Sequence, residues 1–186
     1  MDHCNNGNKA KTYTEDIEKI EIIKKLNLLT FKPILYVANV SESHISSNEN
    51  NNLYDKLSEY ARKSGNISIA LCSKLEQEIA VLSDDEKNIF LKEYKLSEQG
   101  LDKLIQSAFK LLDLETFFTA GPKEVRSWTI KKGTTAPFAA GAIHTDFQRG
   151  FIKAEVIKYC DIIELGSEKA VKEAGLSKLQ GKEYIV

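Results

Sequence analysis

The first part of the chain combines helical spacing with a short, continuously apolar run. After Thr14, a predicted N-cap, apolar residues recur every three positions, which indicates an amphipathic helix with acidic residues in its first turn. These apolar residues are Ile17, Ile20, Ile23 and Leu26. The run "PILYVAN" that follows is typical of a strand covered on both faces. We expect a surface loop in the Asn-rich segment "SSNENNN".

A second strand is predicted beyond this loop, with a helix between the two strands. The helical face ends near Gly65 and is formed by Leu53, Leu57, Tyr60 and Ala61. The run "ISIALC" then predicts a buried strand, so the order strand, helix, strand indicates one crossover of a parallel sheet. Ser83 and Glu86 have the spacing of a capping box. A further amphipathic helix is predicted from Leu101, Leu104, Ile105, Ala108 and Leu112.

The pattern changes after Asp113, where we place a domain boundary. Two β-prone runs in "ETFFTAGPKEVRSWTI" predict a hairpin with an extended turn around Ala120, Gly121 and Pro122. A helix in "APFAAGAIHTDF", a strand in "GFIKAEVIKY", a short helix in "SEKAVKEAG" and the start of a last strand in "KEYIV" complete the prediction. The predicted fold is α/β: a parallel-sheet domain over residues 1–112, followed by a small α+β domain over residues 113–186.

Composition excludes several classes of protein. The 186 residues are 42% apolar, enough for the cores of one ordinary domain or two small ones. Because the formal net charge is −1, any binding to nucleic acid needs a local basic patch. No apolar run approaches the roughly 18 residues of a membrane helix, and no secretory signal is recognisable, so we expect a cytoplasmic protein without membrane contact. Cys4, Cys72 and Cys160 are widely spaced and predict neither disulfides nor a zinc site.

Polar side chains follow the end of the first predicted strand. Asn39 closes the apolar run, and Glu42 comes three residues later. An amide that donates and accepts, together with a carboxylate that accepts, can read the edge of a purine. A guanine reader usually has Asp in place of Glu42, so the glutamate weakens the case for guanine and leaves adenine open. The alternative is an ordinary turn after the strand.

A second polar segment, Cys72, Ser73 and Lys74, follows the end of the second predicted strand. Ligands bind at this edge of open α/β sheets, and the backbone N–H groups of these residues are candidates for contacts with a base. The alternative is that Cys72 is a buried strand residue and that Ser73 caps the following helix.

Basic and aromatic residues are interleaved in the C-terminal part. The basic residues are Lys123, Arg126, Lys131, Lys132, Arg149 and Lys153. The aromatic residues are Phe117, Phe118, Trp128, Phe147 and Phe151. This combination is typical of a surface that binds RNA phosphates and bases. The alternative is a solvated basic face, because strand alternation puts Arg126 and Trp128 on one side, where the indole packs beneath long basic stems.

The segment "AIHTDF" does not predict a catalytic site. His144, Thr145 and Asp146 are consecutive and cannot converge as base, nucleophile and orienting group without unusual backbone geometry. We expect a structural or interface role for His144. His3 and His44 have no spacing typical of metal ligands.

The stretch from Thr14 to Val186 resembles the Obg-like ATPases, the YchF family. The resemblance rests on "LLTFKPILYVANVSE", on "LSDDEKNIFLKEYKLSEQGLDKLIQSAFKLLDLETFFTAGPKEVRSWTI" and above all on "AAGAIHTDFQRGFIKAEVI". It implies a ribosome-associated, redox-linked ATPase that prefers ATP to GTP and uses Mg²⁺ in its full-length members. It implies that Asn39, the main chain of Val40, and Glu42 contact the base, with Cys72, Ser73 and Lys74 as the second base loop. It also implies that residues 1–112 are the C-terminal part of a P-loop NTPase-type, Obg-type nucleotide-binding domain. Residues 113–186 would form a TGS domain, a ubiquitin-like β-grasp module that contacts RNA or the ribosome.

The chain departs from this family in one important respect. The family's phosphate loop, GxxxxGK[ST], does not occur in the sequence, and phosphoryl transfer depends on that Lys, the loop amides and magnesium. We therefore expect no ATP hydrolysis by this chain alone. The resemblance predicts the C-terminal portion of a larger protein, cut at both ends and without the last TGS strand, with a missing phosphate-loop region as a candidate partner. The alternative is a stand-alone RNA- or ribosome-binding module without nucleotide turnover; sequence-specific DNA binding is not expected.

Overall fold

The chain forms two compact units, Met1–Leu112 and Asp113–Val186. The structure is a computed structural model, and it describes residues 2–46, 52–121 and 123–186. Most of the predicted Asn-rich loop, and Pro122 of the predicted hairpin turn, lie outside the described residues.

In the first unit, helices surround a short parallel sheet. Its helices are α1 Asp2–Asn5, α2 Ile17–Lys25, α3 Glu42–Ser46, α4 Asn52–Lys63, α5 Ser73–Ala80, α6 Asp84–Glu93 and α7 Gly100–Leu111. Strands β1, Leu35–Asn39, and β2, Ile67–Leu71, pair in parallel with Leu35 opposite Ile67 and Asn39 opposite Leu71. The predicted parallel crossover is therefore confirmed, with α4 in the chain segment that connects the two strands.

Helix ends follow local capping chemistry. The predicted N-cap Thr14 is wrong, because the Asp16 carboxylate accepts hydrogen bonds from the N–H groups of Glu18 and Lys19 at the start of α2. Thr14 instead accepts from the N–H of Asp16 at 3.1 Å. The predicted capping box is confirmed, since the Glu86 carboxylate accepts from the N–H of Ser83 at 2.9 Å.

The core of the first unit lies around β2. Its buried side chains include Ala61, Ile69, Leu75 and Ile79. The expectation that β1 is covered on both faces is wrong, because 45% of Val37 is exposed. The physical reason is that α4 and α7 pack mainly against β2 and cover β1 less completely.

A buried polar side chain connects the beginnings of the two strands. Asn66 is 8% exposed, and its Oδ1 accepts from the N–H of Ile34 at 3.2 Å and from Lys11 Nζ at 3.3 Å. Its Nδ2 donates to the hydroxyl of Ser64 at 3.0 Å. Asn66 thus satisfies the backbone where β1 begins and holds it beside the start of β2.

The second unit is built from antiparallel pairs and short helices. Its elements are β3 Leu114–Ala120, β4 Val125–Lys131, α8 Ala136–Ile143, α9 Thr145–Arg149, β5 Ala154–Val156, α10 Tyr159–Leu165, α11 Glu168–Glu173 and β6 Lys178–Gln180. Strands β3 and β4 form the predicted hairpin, with Leu114 opposite Lys131 and Ala120 opposite Val125. Strands β5 and β6 pair antiparallel. The mixed α/β fold class is confirmed.

The last predicted strand differs from the structure. In "KEYIV", Ile185 forms a single bridge to Thr135, whereas the paired strand β6 comes before this segment. Pairing stops there because the partner segment turns at once into α8, whose first residue, Ala136, donates its N–H to the carbonyl of Tyr184 at 2.8 Å. Within the residues that the structure describes, no helix is long and apolar enough to cross a membrane.

Candidate functional site

The two predicted base loops meet at the carboxyl ends of β1 and β2. Asn39 and Leu71 are the last residues of these strands and lie opposite each other. The N–H of Val40 donates to the carbonyl of Leu71 at 2.9 Å, which extends the pairing by one bond. Asn39 Oδ1 then accepts from the N–H of Ser73 at 3.0 Å, so that a side chain of one loop is bonded to the backbone of the other.

The carboxylate of Glu42 forms a second connection between the loops. Glu42 begins α3, and its Oε2 lies 3.4 Å from Lys74 Nζ on α5. Lys74 Nζ also lies 3.9 Å from Glu78 Oε1. The hydrogen bond and the charge of Glu42, followed by the charge of Glu78, raise the pKa of Lys74. The structure therefore brings Asn39, Glu42, Ser73 and Lys74 together, as the sequence predicted for neighbouring strand ends.

Tyr94 belongs to the same cluster and was not predicted. It is the C-cap of α6, and the interaction of its hydroxyl with the Glu42 carboxylate is the main cause of a raised pKa for Tyr94. No feature of the local sequence around Tyr94 indicates this role, because the contact depends on how α6 returns to the end of β1.

Cys72 and Ser73 have structural roles at the start of α5. Cys72 is 6% exposed and is the N-cap of α5, without a capping bond from its side chain. Ser73 is the first helical residue and not the cap, which corrects the alternative interpretation of this residue. Because the N–H of Ser73 is bonded to Asn39, it contributes to the geometry of the loop. Base contacts by Val40, Cys72, Ser73 and Lys74 stay predictions.

Glu76 stabilises the second base loop indirectly, through α5. This role was also missed in the sequence. Its carboxylate accepts from the N–H of Gly100 at 2.8 Å and from the N–H of Leu101 at 3.1 Å, at the N-terminus of α7. A carboxylate at this position satisfies unpaired helical donors and interacts favourably with the helix dipole. Glu76 therefore connects α5, which carries Ser73 and Lys74, to α7.

The basic residues of the second unit are distributed over the hairpin and the helices after it. The Arg126 guanidinium lies 4.2 Å from the ring centroid of Trp128, whose Nε1 donates to Thr119 Oγ1 at 2.9 Å. This contact agrees with packing of Trp128 beneath a basic side chain. Strand alternation places Lys131 on the opposite face of β4 from Arg126. Lys123 is exposed in the turn, and Lys132 lies 3.7 Å from Glu115.

A second group of the predicted residues surrounds an open cavity of about 570 Å³. Lys153, Phe147 and Phe151 line this cavity together with Asp146. Arg149, which is exposed, ends α9 in the same segment. The structure therefore joins Lys153 to two of the predicted aromatic residues, while Arg126 and Trp128 form a separate pair on the hairpin.

His144 has a structural role. Its Nδ1 accepts from the N–H of Asp146 at 3.2 Å and so caps α9. Among the residues that the structure describes, no three or more His, Cys, Asp or Glu side chains are grouped so that they could hold a metal ion.

Comparisons with known proteins found several similar chains. The family model YchF-GTPase_C, described as a protein of unknown function (DUF933), matches residues 114–186. The ribosome-binding ATPase YchF of Bacillus subtilis (strain 168) is 49% identical over 96% of this chain and 48% of its own length. That of Haemophilus influenzae is 46% identical over 97% of this chain and 49% of its own length.

A solved structure extends the similarity to the fold. The YchF GTPase of Schizosaccharomyces pombe matches with a TM-score of 0.79 and 33% identity, over 98% of this chain and 48% of that chain. The chain spans about half the length of the curated relatives that it matches. Because both units of the fold are included in these matches, the chain belongs to the YchF family.

Proposed function

We propose that this chain supplies the base-recognition loops and a ribosome-contact surface of an ATP-hydrolysing, ribosome-binding protein that prefers ATP to GTP. The observation that carries the proposal is the hydrogen bond from the N–H of Ser73 to Asn39 Oδ1, which joins two strand-end loops at the ligand-binding edge of a parallel sheet. The names of its relatives, ribosome-binding ATPases, support the same function.

The affinity of the chain for nucleotide follows from what its residues contribute. A hydrogen bond to a charged group contributes about 1.5–3 kcal/mol, whereas association costs about 4 kcal/mol or more. One or two contacts with a base therefore give a Kd weaker than about 1 mM. The phosphates and Mg²⁺ would be bound by a phosphate loop, which this sequence lacks, so we expect no ATP hydrolysis by the chain alone.

The base site is tested by titrating ATP into the ¹⁵N-labelled chain. We expect saturable shifts of the Val40 and Ser73 amides with a Kd weaker than about 1 mM, and their loss in Asn39→Ala. Asn88→Ala, which removes an exposed amide on α6, is the matched control and should behave like the original chain. Tight binding in calorimetry would contradict the expected affinity, and unshifted loop amides at saturating ATP would contradict the base site.

A second candidate function is RNA or ribosome contact without nucleotide turnover. The observation in its favour is the cavity at which Lys153 adjoins Phe147 and Phe151, with Arg149 nearby in sequence, because a cation beside aromatic rings suits phosphate and base together. Both functions include ribosome contact through residues 113–186, which we propose form the TGS domain. They differ in whether the loops after β1 and β2 bind a nucleotide.

Ribosome contact is tested by cosedimentation of the chain with ribosomes. Replacing Lys131, Lys132 and Arg149 with Glu should abolish pelleting, because each phosphate contact contributes an electrostatic, salt-dependent share of the affinity. The control replaces three exposed lysines of the first unit, Lys92, Lys103 and Lys110, with Glu and gives the same change in net charge. Equal pelleting of both triple variants would contradict a contact surface on the second unit.

Other parts of the proposal follow from the family. We propose a cytoplasmic location and a function linked to redox state. The cysteines available for such a link differ in accessibility, since Cys72 is buried whereas Cys4 and Cys160 are exposed.

A further inference from the structure

We propose that the rings of Phe118 and Tyr159 form a stacking platform for unpaired RNA bases on the exposed face of the β3–β4 hairpin. This inference rests on the proposed ribosome contact of residues 113–186 and names the part of the RNA that the second unit binds, which is bases outside a duplex. The sequence pattern included Phe118 among the interleaved aromatic residues, whereas Tyr159 was missed.

The two faces of the hairpin differ in burial. On one face Ile130 is buried and Trp128 is half-buried, so this face packs against the rest of the unit. The other face, which we call the open face, is formed by the cross-strand pairs Leu114–Lys131, Thr116–Thr129, Phe118–Ser127 and Ala120–Val125. All of these residues except Leu114 are exposed, so this face of the hairpin is accessible to a partner.

Two aromatic rings stack on the open face. Phe118 of β3 is 56% exposed, and Tyr159, the first residue of α10, is 65% exposed. Their ring centroids are 5.7 Å apart, and the ring planes are inclined by 26°. Val125, a diagonal neighbour of Phe118 across the hairpin, is 73% exposed and extends the apolar surface. Single exposed apolar residues are normal, whereas contiguous ones mark an interaction site.

The polar residues of the open face indicate the class of partner. Among its paired residues one is charged, Lys131, and none is a carboxylate. The hydroxyl groups of Thr116, Ser127 and Thr129 both donate and accept, as contacts with phosphates and with base edges require. The open face therefore presents an anionic partner with aromatic rings, hydroxyl groups and a cation.

The helix that carries Tyr159 has its acidic residues on another side. Asp161 and Glu164 follow Tyr159 by two and five residues, which places them about 160° and 140° around α10 from it. Ile163 lies about 40° from Tyr159 and is 63% exposed. Lys158, directly before Tyr159, is exposed and adds a cation. A polyanion that also presents flat rings fits this surface, and single-stranded RNA has both properties.

The platform distinguishes unpaired bases from paired ones. Within a duplex both sides of each base are covered by neighbouring bases, so a protein ring can stack only on a base that is unpaired or at an end. Removing an aromatic ring from such a contact typically lowers the affinity by about fivefold to a hundredfold. Because both rings keep more than half of their surface in solvent, we expect the lower end of this range.

The test is a titration of the ¹⁵N-labelled 186-residue chain with an oligoadenylate of about eight nucleotides, followed at the Phe118 and Ser127 amides. We expect saturable shifts with the single strand and clearly weaker binding of the same strand paired with oligouridylate. Phe118→Leu and Tyr159→Leu stay apolar but lose the flat ring, and each should lower the affinity about fivefold. The salt dependence should not change, because neither ring neutralises a phosphate.

Matched variants separate stacking from apolar contact and from misfolding. Phe118→Tyr and Tyr159→Phe keep a ring and should bind like the original chain. Phe138→Leu removes a phenylalanine on α8 that is 65% exposed and lies outside the platform; it should not change the affinity. Amide spectra that match the original chain away from the substituted site confirm that the leucine variants are folded.

Cosedimentation with ribosomes distinguishes failure of the inference from failure of the proposed function. If the duplex binds as tightly as the single strand and the leucine variants bind equally, the phosphates alone hold the RNA, and the inference is overturned while ribosome contact stands. If oligoadenylate leaves the two amides unshifted although the chain pellets with ribosomes, the partner of this unit is not an unpaired base, and the inference is again overturned. If the chain neither pellets nor responds to oligoadenylate, the proposed ribosome contact is wrong and the inference with it.

Discussion

The two units of the molecule hold their strands together in different ways. In the first unit, side chains from distant parts of the chain bond to the backbone at both ends of the parallel pair: Asn66 at the start of β1 and Asn39 at its end. In the second unit, β3 and β4 are joined by backbone pairing along their whole length. Parallel strands need a long crossover, whereas antiparallel neighbours are connected by a turn.

In the first unit the same residues contribute to stability and to the candidate function, whereas in the second unit different residues do so. In the first unit the residues that connect the strand ends, Asn39 and Ser73, are also candidate base-binding residues, so changes there should affect both properties. In the second unit the candidate contact residues Lys131 and Arg149 are exposed and their side chains lie outside the backbone pairing. The following changes test this comparison in order of expected size.

The largest effect is expected for Asn66→Ala. The substitution leaves the N–H of Ile34 and the Lys11 ammonium without their buried acceptor. We expect the free energy of unfolding of the first unit to fall by about 2–3 kcal/mol, measured by amide hydrogen exchange at Val37 and Ile69. Asn88→Ala on exposed α6 should leave it almost unchanged; equal protection in both variants would contradict the role of Asn66.

A smaller loss is expected for Glu76→Ala. The N–H groups of Gly100 and Leu101 lose their acceptor, but the start of α7 is close enough to solvent for water to replace part of the interaction. We expect a loss of about 1–2 kcal/mol in the same exchange measurement. Glu93→Ala removes an exposed carboxylate from α6 and is the control. A loss no greater than that of the control would show that α7 begins without help from Glu76.

The same contrast explains how much of the fold could be predicted from sequence. The parallel crossover and the β3–β4 hairpin were predicted because each has a strong periodic or turn signal over many residues. Short elements were not: α10 was missed, and the last strand was assigned to "KEYIV" and not to β6. In a three-residue strand the pairing partner, and not local propensity, decides the structure.

In the candidate site, too, residues with a local sequence signal were predicted and residues that depend on helix packing were missed. Asn39, Glu42 and the Cys72 to Lys74 segment were identified because residues at neighbouring strand ends must lie close together. Tyr94 and Glu76 were missed because their contacts depend on how whole helices pack, and their local sequence is that of ordinary helical residues. The exposure of Val37 was missed for a related reason, since an apolar run does not show which strand the helices will cover.

In the second unit, Thr119→Val tests whether one side-chain bond matters beside the backbone pairing. It removes the acceptor for Trp128 Nε1, which is partly buried, and keeps the side chain nearly the same size. We expect a loss of about 1 kcal/mol in urea unfolding followed by fluorescence of Trp128, the single tryptophan of the chain. Thr116→Val, at an exposed position on the other face of β3, should cost less. Equal losses in the two variants would mean that the bond to Trp128 contributes nothing.

The smallest effect is expected in how the stability of the second unit changes at acidic pH. Hydrogen bonds from Ser177 and Lys172 lower the pKa of Glu155, which connects β5 with α11. A lowered pKa in the folded state means that this stabilisation is complete above the ordinary glutamate pKa of about 4.3 and is lost as pH falls through the lower, folded value.

Glu155→Gln removes this titration, so the variant should lose less stability than the original chain between about pH 5 and the folded pKa. The measurement is the urea midpoint of Trp128 fluorescence against pH, in which the other carboxyl groups contribute equally to both proteins. Because Glu155, Lys172 and Ser177 are all near solvent, we expect a shallow difference in slope. Parallel pH profiles would mean that backbone pairing alone holds β5 in place, which would sharpen the contrast with the side-chain connections of the first unit.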